Sequence, residues 1–224
     1  MQHYMDDVSH LGFVPSIQHY KSSTREWCDS SILLAVCKFR RSMLLAPQVI
    51  GTVVHLANQF SNLYAINQGH TMPLLGRFAE DTYCGGNPWP LCSCFAIEWC
   101  YTAASCLFLH LKQPIDKLTI KALLELFKRF DVPSGQGERS ELASGLVAIG
   151  DAWLERLLQQ IEATNKQHSI FKASLRCSEQ IDRNTGRWVS AERFTWAFAA
   201  LLDCVNARIA IEISENSVIL MSSK

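Results

Sequence analysis

The stretch "PWPLCSCFAIEWCYTAASCLFLHL", residues 88–111, decides how the rest of the chain is read. Glu98 is its only acid or base apart from His110. Its length is enough to cross a bilayer. It opens with Asn87-Pro88-Trp89-Pro90, however, holds a carboxylate near its middle, and has no basic flank on its N-terminal side. An ionised group at mid-membrane is costly, and a helix apolar all round is also what the interior of a helical protein contains. The expectation is a buried helix and no membrane. Cys92, Cys94, Cys100 and Cys106 lie in it. They read either as a metal cluster or as small buried hydrophobes. The C-x-C-x5-C-x5-C spacing lacks the paired C-x2-C knuckles of a zinc site, so buried thiols and no metal are expected.

The flanking sequence is helical in the same way. Residues 31–45, "SILLAVCKFRRSMLL", form a helix that Asp29 or Ser30 can cap and Ala46-Pro47 stops. Further helices are expected at 48–64, 88–112, 116–130, 140–164 and 190–211, the last capped by Ser190. Alternating strand patterns survive only in scraps such as "SVIL" near the end. Six helices separated by polar loops predict an all-α assembly of antiparallel pairs. The 224 residues, 48% hydrophobic and 19% charged, supply ample core. A formal net charge of zero gives no field that would favour nucleic acid. The opening "MQHYMDDVSHLGF" lacks the apolar segment of a signal peptide.

Three loops concentrate polar chemistry: "EWCDSS" (26–31), "GRFAEDTYCGGNPW" (76–89) and "SEQIDRNTG" (178–186). The second gathers Arg77, Glu80, Asp81 and Trp89. Carboxylates accept several hydroxyl hydrogen bonds, arginine donates a fixed fork, and an indole face suits the C–H side of a sugar ring. A salt-bridged loop that caps a helix, with Trp89 as a core anchor, explains the same residues. Glu179 by itself reads equally as a solvated surface group.

Taken together, "GRFAEDTYCGGNPWPLC" followed later by "SEQIDRNTGRWVSAERFTWAFAALL" resembles glycoside hydrolase family 15, the glucoamylases. That family carries G-R-Y-P-E-D-x-Y…G-N-P-W-x-L, then S-E-Q-x-D-x-x-T-G…S-A-x-x-L-T-W-S-Y-A-A-L-L. "DSSILLAV", "FSNLYAINQG" and "AIGDAWL" look like weaker matches. The resemblance implies an (α/α)6 toroid, of which this chain would supply about six of twelve helices. Residues 29–212 would form the C-terminal half of the catalytic domain, after a segment 1–28 and before a tail 213–224. It further implies release of glucose from the non-reducing ends of starch-, maltodextrin- or glycogen-type α-1,4-glucans, with inversion. Glu179 would be the general base. Arg77, Glu80, Asp81, Trp89 and Gln180 would bind the sugar, and no cofactor is required. Members of the family are often secreted or vacuolar.

The sequence departs from the family pattern in two ways. The family's general acid lies in a W-E-E-type segment that does not occur here, which leaves a non-catalytic carbohydrate-binding relative as the alternative. The serine of L-T-W-S-Y is Ala197. The resemblance places that serine beside the base, so the loss of its hydroxyl is expected to raise the pH optimum. A half-ring is also expected to leave the 88–111 helix partly uncovered, a face for self-association.

Overall fold

In the computed structural model the apolar stretch forms α3, Pro90–Leu109, with protein on nearly every side. The structure describes residues 12–16, 28–109, 114–133, 135, 137–168 and 176–222, giving the backbone alone for 166–168 and 213–222. Glu26, Trp27 and residues 110–112 lie outside the described residues. The other elements are α1 (Ser31–Phe39), α2 (Pro47–Leu63), α4 (Lys117–Arg129), α5 (Arg139–His168), the two-residue strands β1 (Gln180–Ile181) and β2 (Trp188–Val189), and α6 (Thr195–Ser222). α3 packs chiefly against α5 and α6 and also against α1, while α2 pairs with α4.

The helix ends follow local chemistry. Asp29 Oδ1 accepts from the Ser31 amide at 2.9 Å and so starts α1. Pro47 occupies the first turn of α2, where a missing N–H costs nothing. Asp116 caps α4 by accepting from the Leu118 and Thr119 amides at 2.9 and 3.0 Å. Two sequence expectations are corrected. α1 stops at Phe39 rather than near residue 45, because Arg40 leaves helical geometry at φ −141° and a 3-10 turn, Arg41–Met43, follows. Trp99 Nε1 holds that turn to α3 by donating to the Leu44 carbonyl at 3.1 Å. The last helix starts at Thr195 rather than Ser190, and it runs on through the "SVIL" segment, which is helical and not a strand fragment.

With α3 enclosed, its polar groups must be satisfied by its neighbours. Glu98 accepts from Lys38 Nζ of α1 at 2.7 Å, and the same ammonium donates to Asp203 of α6 at 2.8 Å. Burial alone would lower the Lys38 pKa, but its hydrogen bonds to Asp203 and Glu98 outweigh this and raise it. One turn further on, the Tyr101 hydroxyl donates to Asp151 of α5 at 2.8 Å, and Asp151 also accepts from Arg208 Nε of α6 at 2.8 Å. Two polar staples, each joining three helices, therefore tie α1, α3, α5 and α6 together across an apolar interface. Gly150 lets α5 approach, since a Cβ there would meet the Tyr101 ring at 2.6 Å.

The expectation that α3 would be left partly uncovered holds only toward its end, where Leu109 is 66% exposed. Of its most apolar window 83% is buried, because α1, α5 and α6 cover it from separate sides. Cys92, Cys94 and Cys100 are buried in this packing and Cys106 is half-buried. Burial pushes the Cys92 thiol up to about 12, which suits a core residue rather than a nucleophile.

The staple generates a stability prediction. Lys38→Met leaves Glu98 enclosed without its cation and lowers unfolding free energy by about 1–3 kcal/mol. Adding Glu98→Leu restores most of the loss, because an apolar pair can replace an ion pair at such a site. Urea unfolding of the single and double variants measures both.

Candidate active site

The loop 76–89 is built around one ion pair. Arg77 grips Asp81 with two hydrogen bonds, Nε to Oδ2 at 2.7 Å and Nη2 to Oδ1 at 2.6 Å. Asp81 is buried and also accepts from the Tyr83 amide at 2.9 Å. The fork geometry and the charge of Asp81 hold the Arg77 guanidinium even more firmly protonated than usual. The guanidinium lies 5.0 Å from the Trp89 ring, 5.2 Å from Tyr83 and 5.5 Å from Phe78. Three rings beside a fixed cation form a rigid wall that is apolar and positively charged at once. Gly86 closes the loop at φ +66°, and a Cβ there would meet the Asp81 carbonyl oxygen at 1.9 Å. Only glycine fits at this point.

The second loop is a short hairpin. β1 and β2 pair antiparallel, Gln180 with Val189 and Ile181 with Trp188. Asp182 folds its turn: Oδ1 accepts from the Thr185 amide at 2.7 Å, the Thr185 hydroxyl at 2.8 Å and the Asn184 amide at 3.0 Å. These bonds, led by the Thr185 amide, depress the Asp182 pKa. "DRNTG" is thus a turn whose acid is occupied with its own backbone, which leaves Glu179 as the carboxylate of this segment available for chemistry.

The two loops are joined. The Ile181 amide donates to the Pro88 carbonyl at 2.9 Å. Asn87 Nδ2 donates to Gln180 Oε1 at 3.2 Å and to the Cys84 carbonyl at 2.7 Å, while Asn87 Oδ1 accepts from the Arg183 amide at 3.1 Å. Phe194, just ahead of α6, meets Trp89 edge-on at 6.2 Å. Glu179 is held by its amide, which donates to the Ala191 carbonyl at 2.8 Å, and by the Ser190 hydroxyl, which donates to Glu179 Oε2. Ser190 takes a left-handed φ of +65° at the end of β2, which makes it a donor to the acid and not a helix cap. The hydroxyl expected to be missing at Ala197 is therefore supplied by Ser190. Ala197 is buried on the core side of α6, so the expected rise in pH optimum loses its basis.

The structure brings Arg77, Asp81, Trp89, Gln180 and Glu179 into one pair of linked loops. Glu80 is exposed, outside the Arg77–Asp81 fork. Gln180 is fully buried, with its oxygen accepting from Asn87 and its amide nitrogen without a partner. Sequence reading missed Ser190, Tyr83 and Asn87. Tyr83 lies tilted beside Trp89 at 6.1 Å, and its hydroxyl pKa is raised first by Cys84 and then by the charge of Glu179. Two concavities lie elsewhere, one of about 270 Å³ beside Phe13 and His55, the other of about 590 Å³ beside His70 and Arg129.

Comparison with known proteins gives one family. The family model of glycosyl hydrolases family 15 matches residues 8–206. A glucoamylase of Saccharomycopsis fibuligera, GLA1, is 28% identical over 165 residues, covering 65% of this chain and 30% of the relative. Glucoamylase-1 of Schizophyllum commune is 31% identical over 161 residues, covering 67% and 25%. The solved Hypocrea jecorina family 15 glucoamylase superposes with a TM-score of 0.73 at 22% identity, over 94% of this chain and 35% of that one. The Saccharomycopsis fibuligera glucoamylase structure gives 0.70 at 20%, over 91% and 45%. The fold is accordingly part of a helical toroid, and the chain spans about a quarter to a third of the length of these curated relatives.

The turn beneath the acid has its own pH signature. The depressed Asp182 carboxyl adds stability that is complete above its ordinary pKa of 3.8 and is lost as pH falls through the lower folded value. Asp182→Asn lowers stability by about 1 kcal/mol at neutral pH. Variant and wild type converge below that window, as urea unfolding at stepped pH will read.

Proposed function

From the premise that the chain belongs to glycosyl hydrolases family 15, we propose that it serves glucoamylase-type hydrolysis, releasing glucose from the non-reducing ends of starch-like α-1,4-glucans with inversion. The observation that carries this reading is the setting of Glu179. Its carboxylate accepts the Ser190 hydroxyl and stands on a hairpin tied through Asn87, Gln180 and Pro88 to the Arg77–Asp81 loop. A hydroxyl donated to one carboxylate oxygen leaves the other open to a water.

Inversion needs a carboxylate that draws a proton from water on the face opposite the leaving group, with the proton donor about 6.5–9.5 Å away. Glu179 fills the first role. The donor is assigned to no residue of this chain. Arg77 and Asp81 form the polar end of the glucose site, fixed by their fork. Tyr83 and Trp89, tilted toward each other, give the ring an angled aromatic wall, and Glu80 reaches the sugar from the loop's exposed edge. Gln180 holds the floor beneath the base, its unspent amide nitrogen one residue from Glu179. The substrate class follows from these groups: hydroxyl acceptors, one fixed cation and aromatic faces fit a neutral sugar chain.

The test is glucose release from maltose and soluble starch by the purified 224-residue chain. Glu179→Gln is expected to lower kcat by about 10²–10⁴-fold with KM nearly unchanged, as loss of a proton acceptor requires. Arg77→Lys, which cannot make the fork, raises KM. Equal and measurable rates for wild type and Glu179→Gln would refute the assignment.

A further inference from the structure

The concavity of about 590 Å³ beside His70 and Arg129 is not used by the chemistry proposed above. It lies among the C-terminal ends of α2 and α4 and the loop 67–71. Every described residue lining it is polar or glycine, among them Ser61, Asn62, Gln68, His70, Arg129 and Asp131. Its frame is held by hydrogen bonds. Buried Asn67 pins the loop, with Nδ2 donating to the Phe60 and Leu74 carbonyls at 3.0 and 2.9 Å and Oδ1 accepting from the Leu74 amide at 2.8 Å. Arg129 donates to Asn58 Oδ1 at 2.5 Å, to Ser61 Oγ at 2.7 Å, and to the Ala57 and Thr71 carbonyls at 3.3 and 3.4 Å. All these acceptors are neutral, and among the described lining residues the negative charge comes from Asp131. Burial, and secondly the charge of Arg156, lower the His70 pKa, so its ring is neutral at pH 7.

We propose that this concavity is a second glucan-binding site, separate from the loops that carry Glu179. Its charges select the class of ligand: an anion would face Asp131 and a cation would face Arg129, whereas a neutral molecule meets neither repulsion. Amide and hydroxyl side chains both donate and accept, as sugar hydroxyls do, and an apolar molecule finds no apolar wall. The volume falls within the roughly 300–1,000 Å³ of small-molecule sites. The choice of an α-glucan among neutral polyhydroxy compounds rests on the hydrolysis proposed above. Position supports it. The Ile66 amide donates to the Arg183 carbonyl at 3.1 Å, and Arg183 Nη2 donates to the Leu63 carbonyl at 2.7 Å, so the chain at this concavity is bonded to the hairpin that follows Glu179. A polymer held here offers its ends to that hairpin at raised local concentration. With no flat aromatic face for a sugar ring, binding is weak, with a Kd of about 1–10 mM.

Amide NMR of the ¹⁵N-labelled 224-residue chain, titrated with maltotriose to about 50 mM, tests the proposal. The Glu179→Gln form is used so that the ligand is not consumed. The amides of residues 62 and 68–71 are expected to move along one saturation curve with a Kd in that range. Gln68→Ala combined with His70→Ala, both exposed positions, raises this Kd about tenfold, while shifts in loop 76–89 and the rest of the spectrum are unchanged. Shifts confined to loop 76–89 overturn the second site and leave the proposed hydrolysis standing. Shifts confined to the concavity uphold the second site and count against the reading of the active site. A double variant that binds like its parent overturns the assignment of these residues and with it the site. Amides of the concavity that respond to sodium sulfate or glycine but not to maltotriose overturn the choice of a sugar.

Discussion

Glu98 stands inside an otherwise apolar helix, and the cost of an unpaired charge there constrains the whole assembly. Lys38 answers it from α1 and simultaneously reaches Asp203 of α6, so two helices are placed by one ammonium. Asp151 repeats the arrangement one turn on, taking Tyr101 from α3 and Arg208 from α6. Apolar packing supplies most of the driving force but is indifferent to small slips. The staples set register, and register decides where the loops at the end of α3 emerge.

Those loops inherit their positions from α3. Trp89 immediately precedes it, with its amide donating to the Leu75 carbonyl at 2.8 Å, and Leu75 in turn donates to Ser93 Oγ within the helix at 3.0 Å. The strand that follows Glu179 hangs on the Pro88 carbonyl. Phe194, at the entrance to α6, closes against Trp89. A carboxylate, a fixed guanidinium and an aromatic wall are thus brought together by the same helix whose burial defines the core. The proposed chemistry needs this arrangement, because hydrolysis depends on where an oxygen points to within a fraction of a hydrogen bond.

Much of this was legible from the residues. The six helices could be read from apolar periodicity, Pro47 and Asp116, and α3 was recognisable as a core helix from its prolines and its carboxylate. A salt-bridged loop around Arg77 was legible from its carboxylates, but which of Glu80 and Asp81 it grips was not. Ser190 was not legible: Ser-Ala-Glu-Arg reads as a helix start, and only a left-handed φ beside a two-residue hairpin turns its hydroxyl toward Glu179. Asn87 was hidden for a related reason, since its partners Gln180 and Arg183 are distant in sequence and no local pattern announces them. The extent to which α3 is covered was underestimated because sequence shows how apolar a helix is, not how many neighbours reach it.

The account stands or falls on the stereochemistry that Glu179 is proposed to impose. Proton NMR of the glucose first released from maltose by this chain, recorded before mutarotation, reads it directly. A base acting on water predicts the β-anomer as the initial product from an α-linked substrate. The α-anomer appearing first would mean retention, with a covalent intermediate in place of an activated water, and would contradict the role given to Glu179.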